Sequence, residues 1–275
     1  MMFLGDGMLA EARRLRLLEL ISQRGYARLE DLVESVGVSE STVRRDLESL
    51  DQQGSIKRTH GGAIYAGELR AMPAFEDRTA TASAEKRSIG RAAAELVGDG
   101  ETVLLDGGTT TLEVARALLG RRVQVVTNSL PIAQLIGPNS ETDLILIGGY
   151  VYPRTGVALG PIAIACMAGI RVSTVMMGAG GVVADGVYNS NSLLVETEQA
   201  MMRCGQRIVV VADHTKFGRM ALKRLCALEE IQSVVVDEGI SEDHRRMLER
   251  AGVALRVASV EVGSREHESN GRSRP

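Results

Sequence analysis

Residues 38–63 read Val-Ser-Glu-Ser-Thr-Val-Arg-Arg-Asp-Leu-Glu-Ser-Leu-Asp-Gln-Gln-Gly-Ser-Ile-Lys-Arg-Thr-His-Gly-Gly-Ala. Val43, Leu47 and Leu50 fall at i, i+4 and i+7 and make one apolar stripe along a helix. The opposite face then carries Ser41, Arg44 and Arg45, with two guanidinium groups near the helix N-terminus. Ser39 is placed to cap this helix and Gly54 to end it, because glycine accepts the left-handed conformation just past a C-terminus. Ile56-Lys57-Arg58-Thr59 follows as a strand and His60-Gly61-Gly62 as a turn. A helix with an outward basic face running into a basic hairpin is the layout of a winged helix, whose recognition helix enters the major groove of DNA. Arginine there pairs with guanine or clamps a phosphate. The candidate DNA contacts are Ser39, Ser41, Thr42, Arg44 and Arg45 on the helix, with Lys57, Arg58 and His60 on the wing. The wing would reach a flanking groove or the sugar-phosphate backbone.

Upstream, Leu17, Leu20 and Ile21 predict a first amphipathic helix, and Leu29, Leu32, Val33 and Val36 a second. Gly37 occupies the turn before the third, so three helices share one small core. The run Thr42-Val43-Arg44-Arg45-Asp46-Leu47, followed by Arg58-Thr59-His60-Gly61-Gly62-Ala63, resembles the N-terminal signature of the DeoR family of bacterial transcription regulators. The resemblance covers almost the whole chain. It implies a winged helix joined to a sugar-phosphate-sensing domain related in fold to ribose-5-phosphate isomerase, and repression as the usual sign of regulation.

The chain has 275 residues, 44% of them hydrophobic. A winged helix leaves about 200 residues for a second core, near the usual domain size. The net charge is only -3, so any affinity for DNA must come from locally clustered Arg and Lys. Cys166, Cys204 and Cys226 are scattered, without C-x-x-C spacing or neighbouring His, and read as reduced core thiols of a cytoplasmic protein. No metal and no cofactor is expected. No run approaches 18 apolar residues and the N-terminus lacks the pattern of a signal peptide, so no membrane association is expected.

Four segments follow from the patterning: a winged-helix domain over 1–62, a linker over 63–81 holding Gly67 and Pro73, an α/β domain over 82–262, and a polar tail over 263–275 expected to be disordered. Helical spacing resumes at Ile89, Ala92, Ala93 and Leu96 and stops at Gly98-Asp99-Gly100. Short apolar runs at 103–105, 123–126, 144–147, 175–177, 208–211 and 234–236 then alternate with helical patterns. That alternation predicts an α/β fold with a mostly parallel sheet covered by helices.

Open α/β sheets bind ligands at the carboxyl ends of their strands, and these ends are small and polar here. After 103–105 come Asp106, Gly107, Gly108, Thr109, Thr110 and Thr111, and a helix with Leu112, Ala115 and Leu119 on one face starts at once. Two glycines let backbone amides turn toward a ligand, three hydroxyls add donors, and the helix N-terminus favours negative charge. This suits a phosphate, although a Gly-Gly-Thr turn also serves as plain strand-to-helix punctuation. It is neither a nucleotide P-loop nor a dinucleotide fingerprint, since no Gly-Lys-Ser/Thr and no G-x-G-x-x-G occurs. Later strand ends carry Thr127-Asn128-Ser129, Gly148-Gly149, Gly178-Ala179-Gly180-Gly181 and Asp213-His214-Thr215-Lys216-Phe217-Gly218. Asn128 and Ser129 suit sugar hydroxyls and Lys216 a phosphate charge, against the plainer alternative of a solvated loop lysine.

In this order the motifs are similar to the effector domain of the same family. The similarity implies a phosphorylated sugar or polyol bound by Asp106 to Thr111, Thr127 to Ser129, Gly148, Gly149, Asp213 and Lys216, and a homo-oligomer, dimer or tetramer, on double-stranded operator DNA. Two departures touch the rim and leave the sugar open: Gly107 stands where Ser is frequent, and Gln199 stands before Ala200-Met201 where Lys or Arg is frequent. Glu196 and Glu198 begin a helix, where acids either contact the ligand or, the favoured reading, serve the helix dipole. The rival reading is a sugar-phosphate isomerase-like enzyme fused to a DNA-binding domain, with Asp106, Asp185 or Glu198 as the base. No paired acid and base stands at recognisable spacing, which favours a binding module.

Overall fold

The computed structural model describes residues 10–24, 26–59, 61–66, 75–138 and 141–259. His60, the 67–74 part of the expected linker and the 263–275 tail therefore lie outside the described residues.

The N-terminal unit runs α1 (Ala10–Arg24), β1 (Tyr26–Arg28), α2 (Leu29–Val36), α3 (Glu40–Gln52), β2 (Ile56–Thr59) and β3 (Gly62–Tyr65). Its core gathers Leu17 and Ile21 from α1, Leu32 from α2, Val43, Leu47 and Leu50 from α3, and Ile56 from β2. Gly37 ends α2 at φ 66 and returns its N–H to the Val33 carbonyl, while the Ser39 side chain accepts from the Thr42 N–H to open α3. An ion pair of 2.6 Å from Arg13 Nε to Asp46 Oδ2, on largely buried side chains, ties α1 to α3. The three strands order β1-β3-β2 and are antiparallel. Ala63 and Ile64, assigned by the sequence to the linker, instead belong to the central strand of this wing and are fully buried. Part of the remaining linker span is also regular, as α4 (Phe75–Ala80).

The larger unit is built on seven strands: β4 (Thr102–Leu105), β5 (Gln124–Thr127), β6 (Asp143–Leu146), β9 (Val172–Met177), β12 (Gly205–Val211), β14 (Ser233–Asp237) and β15 (Ala254–Ala258). Their order is β15-β14-β12-β9-β4-β5-β6, and every neighbouring pair is parallel. Alternate strand residues face opposite layers, the geometry of a pleated strand. Val103, Leu105, Val125 and Val209 pack under α5 (Ser83–Ala94), α6 (Thr109–Leu118) and α7 (Leu130–Ile136). Leu104, Val126, Val175 and Val210 pack under α8 (Pro161–Cys166), α9 (Ser192–Met202) and α10 (Glu242–Arg250). Burial on both faces is why β4, β5, β9, β12 and β14 read as continuous apolar runs, whereas the edge strand β6 leaves Ile145 and Leu146 exposed.

Two smaller sheets decorate this frame: a hairpin of β7 (Tyr150–Tyr152) and β8 (Val157–Leu159), and a β10-β11-β13 sheet from Gly181–Val183, Gly186–Asn189 and Lys223–Cys226. Of the three thiols, Cys204 and Cys226 are buried but Cys166 is exposed, so it is not the core residue the sequence suggested. Among the described residues, no helix is long and apolar enough to cross a membrane.

Candidate functional site

Strand order reverses between β4 and β9: from β4 the chain adds β5 and β6 on one side, and later β9, β12, β14 and β15 on the other. Open α/β sheets leave a crevice at such a point, outside the carboxyl ends of the strands. A cavity of about 440 Å³ lies there, lined by Asp106 to Thr110 beyond β4, Gly178 to Gly180 beyond β9, and Asp213 and Lys216 beyond β12. The Asp106 N–H donates to Met176 O at 3.0 Å and holds the two strand ends together. Gly108 is the extended N-cap of α6, with Thr109 and Thr110 in its first turn. Four cationic side chains, Arg78, Lys86, Lys216 and Arg219, share the lining with this helix N-terminus. Fixed amides and converging cations suit an anion, phosphate above all.

Neighbouring contacts stiffen the wall. Asp213 accepts from the Thr215 N–H at 3.1 Å and caps the 3₁₀ turn that carries Lys216. The His214 N–H donates to Asp237 Oδ1 at 2.7 Å, and its ring Nδ1 lies 2.7 Å from Asp237 Oδ2, so the turn is pinned to β14. Lys86 is buried and donates to the carbonyls of Arg78 and, at 2.6 Å, Thr81, which anchors the end of α4 beside the cavity.

At the floor, Asp106 meets Glu198. Both are buried, and Asn189 Nδ2 donates to Glu198 Oε1 at 2.6 Å. Burial, then the Asp106 charge, pushes Glu198 well above the usual carboxylate range. Burial also raises Asp106, against backbone hydrogen bonds from Gly107 and Gly178 and the Arg78 charge. Both shifts favour the protonated form, Glu198's the more strongly. Two sequence expectations are corrected here. Glu198 lies well beyond the first turn of α9, which starts at Ser192, and it serves the carboxyl pair, not the helix dipole. The acid–acid pairing joins residues 92 positions apart and cannot be seen as spacing. Glu196, by contrast, faces outward to Lys223 Nζ at 3.6 Å.

Other predicted residues do not reach the cavity. Thr127 Oγ1 donates to Leu105 O at 2.7 Å, Asn128 Nδ2 donates to Ala158 O at 3.0 Å, and Ser129 Oγ accepts from the Ile132 N–H to cap α7. All three are fully buried, because the β7–β8 hairpin lies over the end of β5, with Ala158 N–H bonded to Asn128 O. Gly148 and Gly149, at the next strand end, lie outside the lining, and Gly149 packs beside Ala163 of α8. Thr111 turns its hydroxyl back to Gly108 O at 3.0 Å. Asp106, Gly107, Gly108, Thr109, Thr110, Asp213 and Lys216 are the predicted residues that line the cavity. The sequence reading missed Arg78, Lys86, Asn189 and Arg219. Lys86 follows the helical spacing of α5, but no local pattern singles out Arg78.

On the winged helix, Ser39, Ser41, Arg44 and Arg45 are exposed along α3, with Thr42 partly so. Arg44 pairs with Glu40 at 2.7 Å, Lys57 with Asp51 at 3.6 Å and Arg58 with Glu48 at 3.9 Å. Pairs this exposed are worth little, about 0–1 kcal/mol, and exchange readily for phosphate oxygens.

The hairpin bridges the two units. Tyr26 and Ile64 of the winged helix form one buried cluster with Tyr152, Val157, Leu159, Leu193 and Leu194. Leu194 lines the cavity, and Val157 fills the space beside Gly107. The Phe75 N–H at the start of α4 donates to Arg154 O in the hairpin turn at 3.0 Å. A change in the cavity thus has a packed route to the wing.

Comparison with known proteins agrees with both halves. Residues 13–68 match the DeoR-like helix-turn-helix domain and residues 81–238 the DeoR C terminal sensor domain. The chain is 31% identical to the uncharacterized HTH-type transcriptional regulator YgbI of Escherichia coli, over 92% of this chain and 100% of that protein. It is 35% identical to the Glycerol-3-phosphate regulon repressor of the same organism, over 80% of this chain and 88% of that one. It is 28% identical to the HTH-type transcriptional repressor GlcR of Bacillus subtilis, over 93% and 99%. Among solved structures, ribose 5 phosphate isomerase A from Neisseria gonorrhoeae overlaps 48% of this chain and 52% of its own at a TM-score of 0.35 and 18% identity, a likeness too slight to add to the argument.

Proposed function

The chain belongs to the DeoR family of transcriptional regulators, and on that footing we propose that it represses a carbohydrate-use operon and releases its operator when a phosphorylated sugar or polyol fills the cavity between β4 and β9. Arg44 and Arg45 read base edges or phosphates in the major groove, and Lys57 and Arg58 hold the flanking backbone. The amides and hydroxyls at Gly108 to Thr110 take the phosphate, with Lys216 as a point charge. The protein works in the cytoplasm as a homo-oligomer that matches a two-fold operator. The isomerase reading gains nothing from the relatives, which carry the names of regulators.

The observation that carries this reading is the cavity itself, where a helix N-terminus and four cations converge at the switch point of the sheet. A ligand shifts an equilibrium only through its differential affinity for the two states. The β7–β8 hairpin, packed on the cavity loop at Val157 and on the wing at Tyr26, supplies the element whose position both sites sense.

Thr110→Asp tests it. A carboxylate in the first turn of α6 suits the helix dipole, so the fold is retained, but it occupies the place of the ligand's own charge. The variant is expected to bind operator fragments like the parent and to need far more effector for release in a fluorescence-anisotropy titration. An unchanged effector dose response would place the phosphate elsewhere.

A further inference from the structure

Arg78 sits on α4, in the segment that joins the two units, and its side chain lines the cavity. Its Nε and Nη2 atoms are buried and have no hydrogen-bond partner. These two nitrogens form one edge of the guanidinium, the edge whose parallel N–H groups bind two oxygens of a single phosphate or carboxylate. Burying such donors unpaired is costly, and buried polar groups in native proteins are otherwise satisfied. Asp106, on the same lining, is already engaged by the Glu198 carboxyl and by the Gly107 and Gly178 N–H groups, whereas the Arg78 edge has no partner. A molecule that satisfies this edge must bring two anionic oxygens.

We propose that Arg78 is a ligand-binding residue of the effector cavity that grips the ligand's phosphate through its Nε–Nη2 edge. The inference rests on the reading of the cavity as a site for phosphorylated sugars or polyols, and it names the side chain that takes two oxygens of the phosphate. It also puts one ligand contact on the joining segment. Lys86 fixes the end of α4 by its bonds to Arg78 O and Thr81 O, and the start of α4 is bonded to the β7–β8 turn at Arg154. A phosphate that draws in the Arg78 side chain therefore pulls on the helix that is tied to the hairpin under the wing.

The test is a thermal-shift titration of the full chain with three- to six-carbon sugar and polyol phosphomonoesters, their unphosphorylated parents and inorganic phosphate. The parent protein, Arg78→Met, Arg78→Lys and Thr110→Asp are compared. A phosphomonoester is expected to raise the melting temperature of the parent where its unphosphorylated form does not. Arg78→Met is expected to melt, without ligand, at the parent's temperature or above it, since it removes buried donors that have no hydrogen-bond partner and keeps the apolar stem. Its half-saturating ligand concentration is expected to rise about ten-fold or more, the effect of losing charge-assisted hydrogen bonds. A purely structural role for Arg78 would instead lower the ligand-free melting temperature. If Arg78→Met keeps the parent's dose response while Thr110→Asp loses it, the assignment of Arg78 is overturned and the cavity reading stands. If no phosphomonoester shifts the parent, both fall. Should Arg78→Met fail to fold, Arg78→Lys decides: it keeps the charge but not the paired edge, so weaker binding supports the proposal and parental affinity overturns it.

Discussion

Val157 of the hairpin occupies the space that a side chain on Gly107 would need: a Cβ built there collides with Val157 Cγ2 and comes within 3.0 Å of Cγ1. The loop at the cavity and the hairpin under the wing are thus in direct van der Waals contact, and Val157 passes that contact on to Tyr26 and Ile64.

Gly107→Ala is expected to destabilise the protein by about 1–3 kcal/mol, because Val157 is branched at Cβ and has no flexible end to swing away. In a Val157→Ala background the same change should cost far less. A double-mutant cycle by urea unfolding is expected to give a coupling of about 0.5–3 kcal/mol. Additive costs would mean that loop and hairpin do not press on each other.

On the DNA side, Arg45→Ala is expected to weaken operator binding by about 1–3 kcal/mol while leaving the melting temperature near that of the parent, since the side chain is exposed opposite the core stripe. Lys57→Ala should weaken all duplexes alike and lower the slope of log affinity against log salt by about 1. Gel-shift titrations at several salt concentrations separate the two behaviours. Full operator affinity in Arg45→Ala would remove this residue from the recognition surface.

Glu198 predicts a pH dependence of stability. In the unfolded chain its carboxyl ionises in the usual range, whereas in the folded protein burial and Asp106 hold its proton well above that range. Between those two pKa values the folded state binds the extra proton. The stability that this group contributes is therefore fully present below the carboxylate range and is lost as pH rises toward the folded pKa, by up to about 1.4 kcal/mol per pH unit. Glu198→Gln can still accept from Asn189 and donate to Asp106, but it has no proton to lose. Chemical denaturation across pH is expected to show a flatter profile for Glu198→Gln, with a gain over the parent at high pH. Parallel profiles would mean that Glu198 is ionised in the fold.

Much of this architecture is local in origin and legible in the residues alone. The Val43, Leu47 and Leu50 stripe, the Ser39 cap and the left-handed Gly37 place α3 and its basic face, and each acts within a turn or two of helix. The apolar runs of β4, β5, β9, β12 and β14 are equally readable, since burial on both faces leaves little room for polar residues. β15 escaped because it lies at the sheet edge with mixed exposure, and β10, β11 and β13 because they are short strands of mixed polarity. The Asp106 to Thr110 loop was visible because the amides that suit an anion are consecutive in sequence.

Sequence by itself determined a winged helix, an α/β sheet and one glycine- and threonine-rich loop between a strand and a helix, because periodicity, capping and glycine placement are short-range effects. Tertiary structure alone decided which strand ends share a cavity. Strand order set the crevice between β4 and β9, and the β7–β8 hairpin covered the end of β5 and turned Thr127, Asn128 and Ser129 into buried supports. The same packing joined Asp106 to Glu198 and brought Arg78 from the joining segment to the cavity wall. Burial and electrostatic pairing depend on distance in space, and no spacing along the chain encodes that distance.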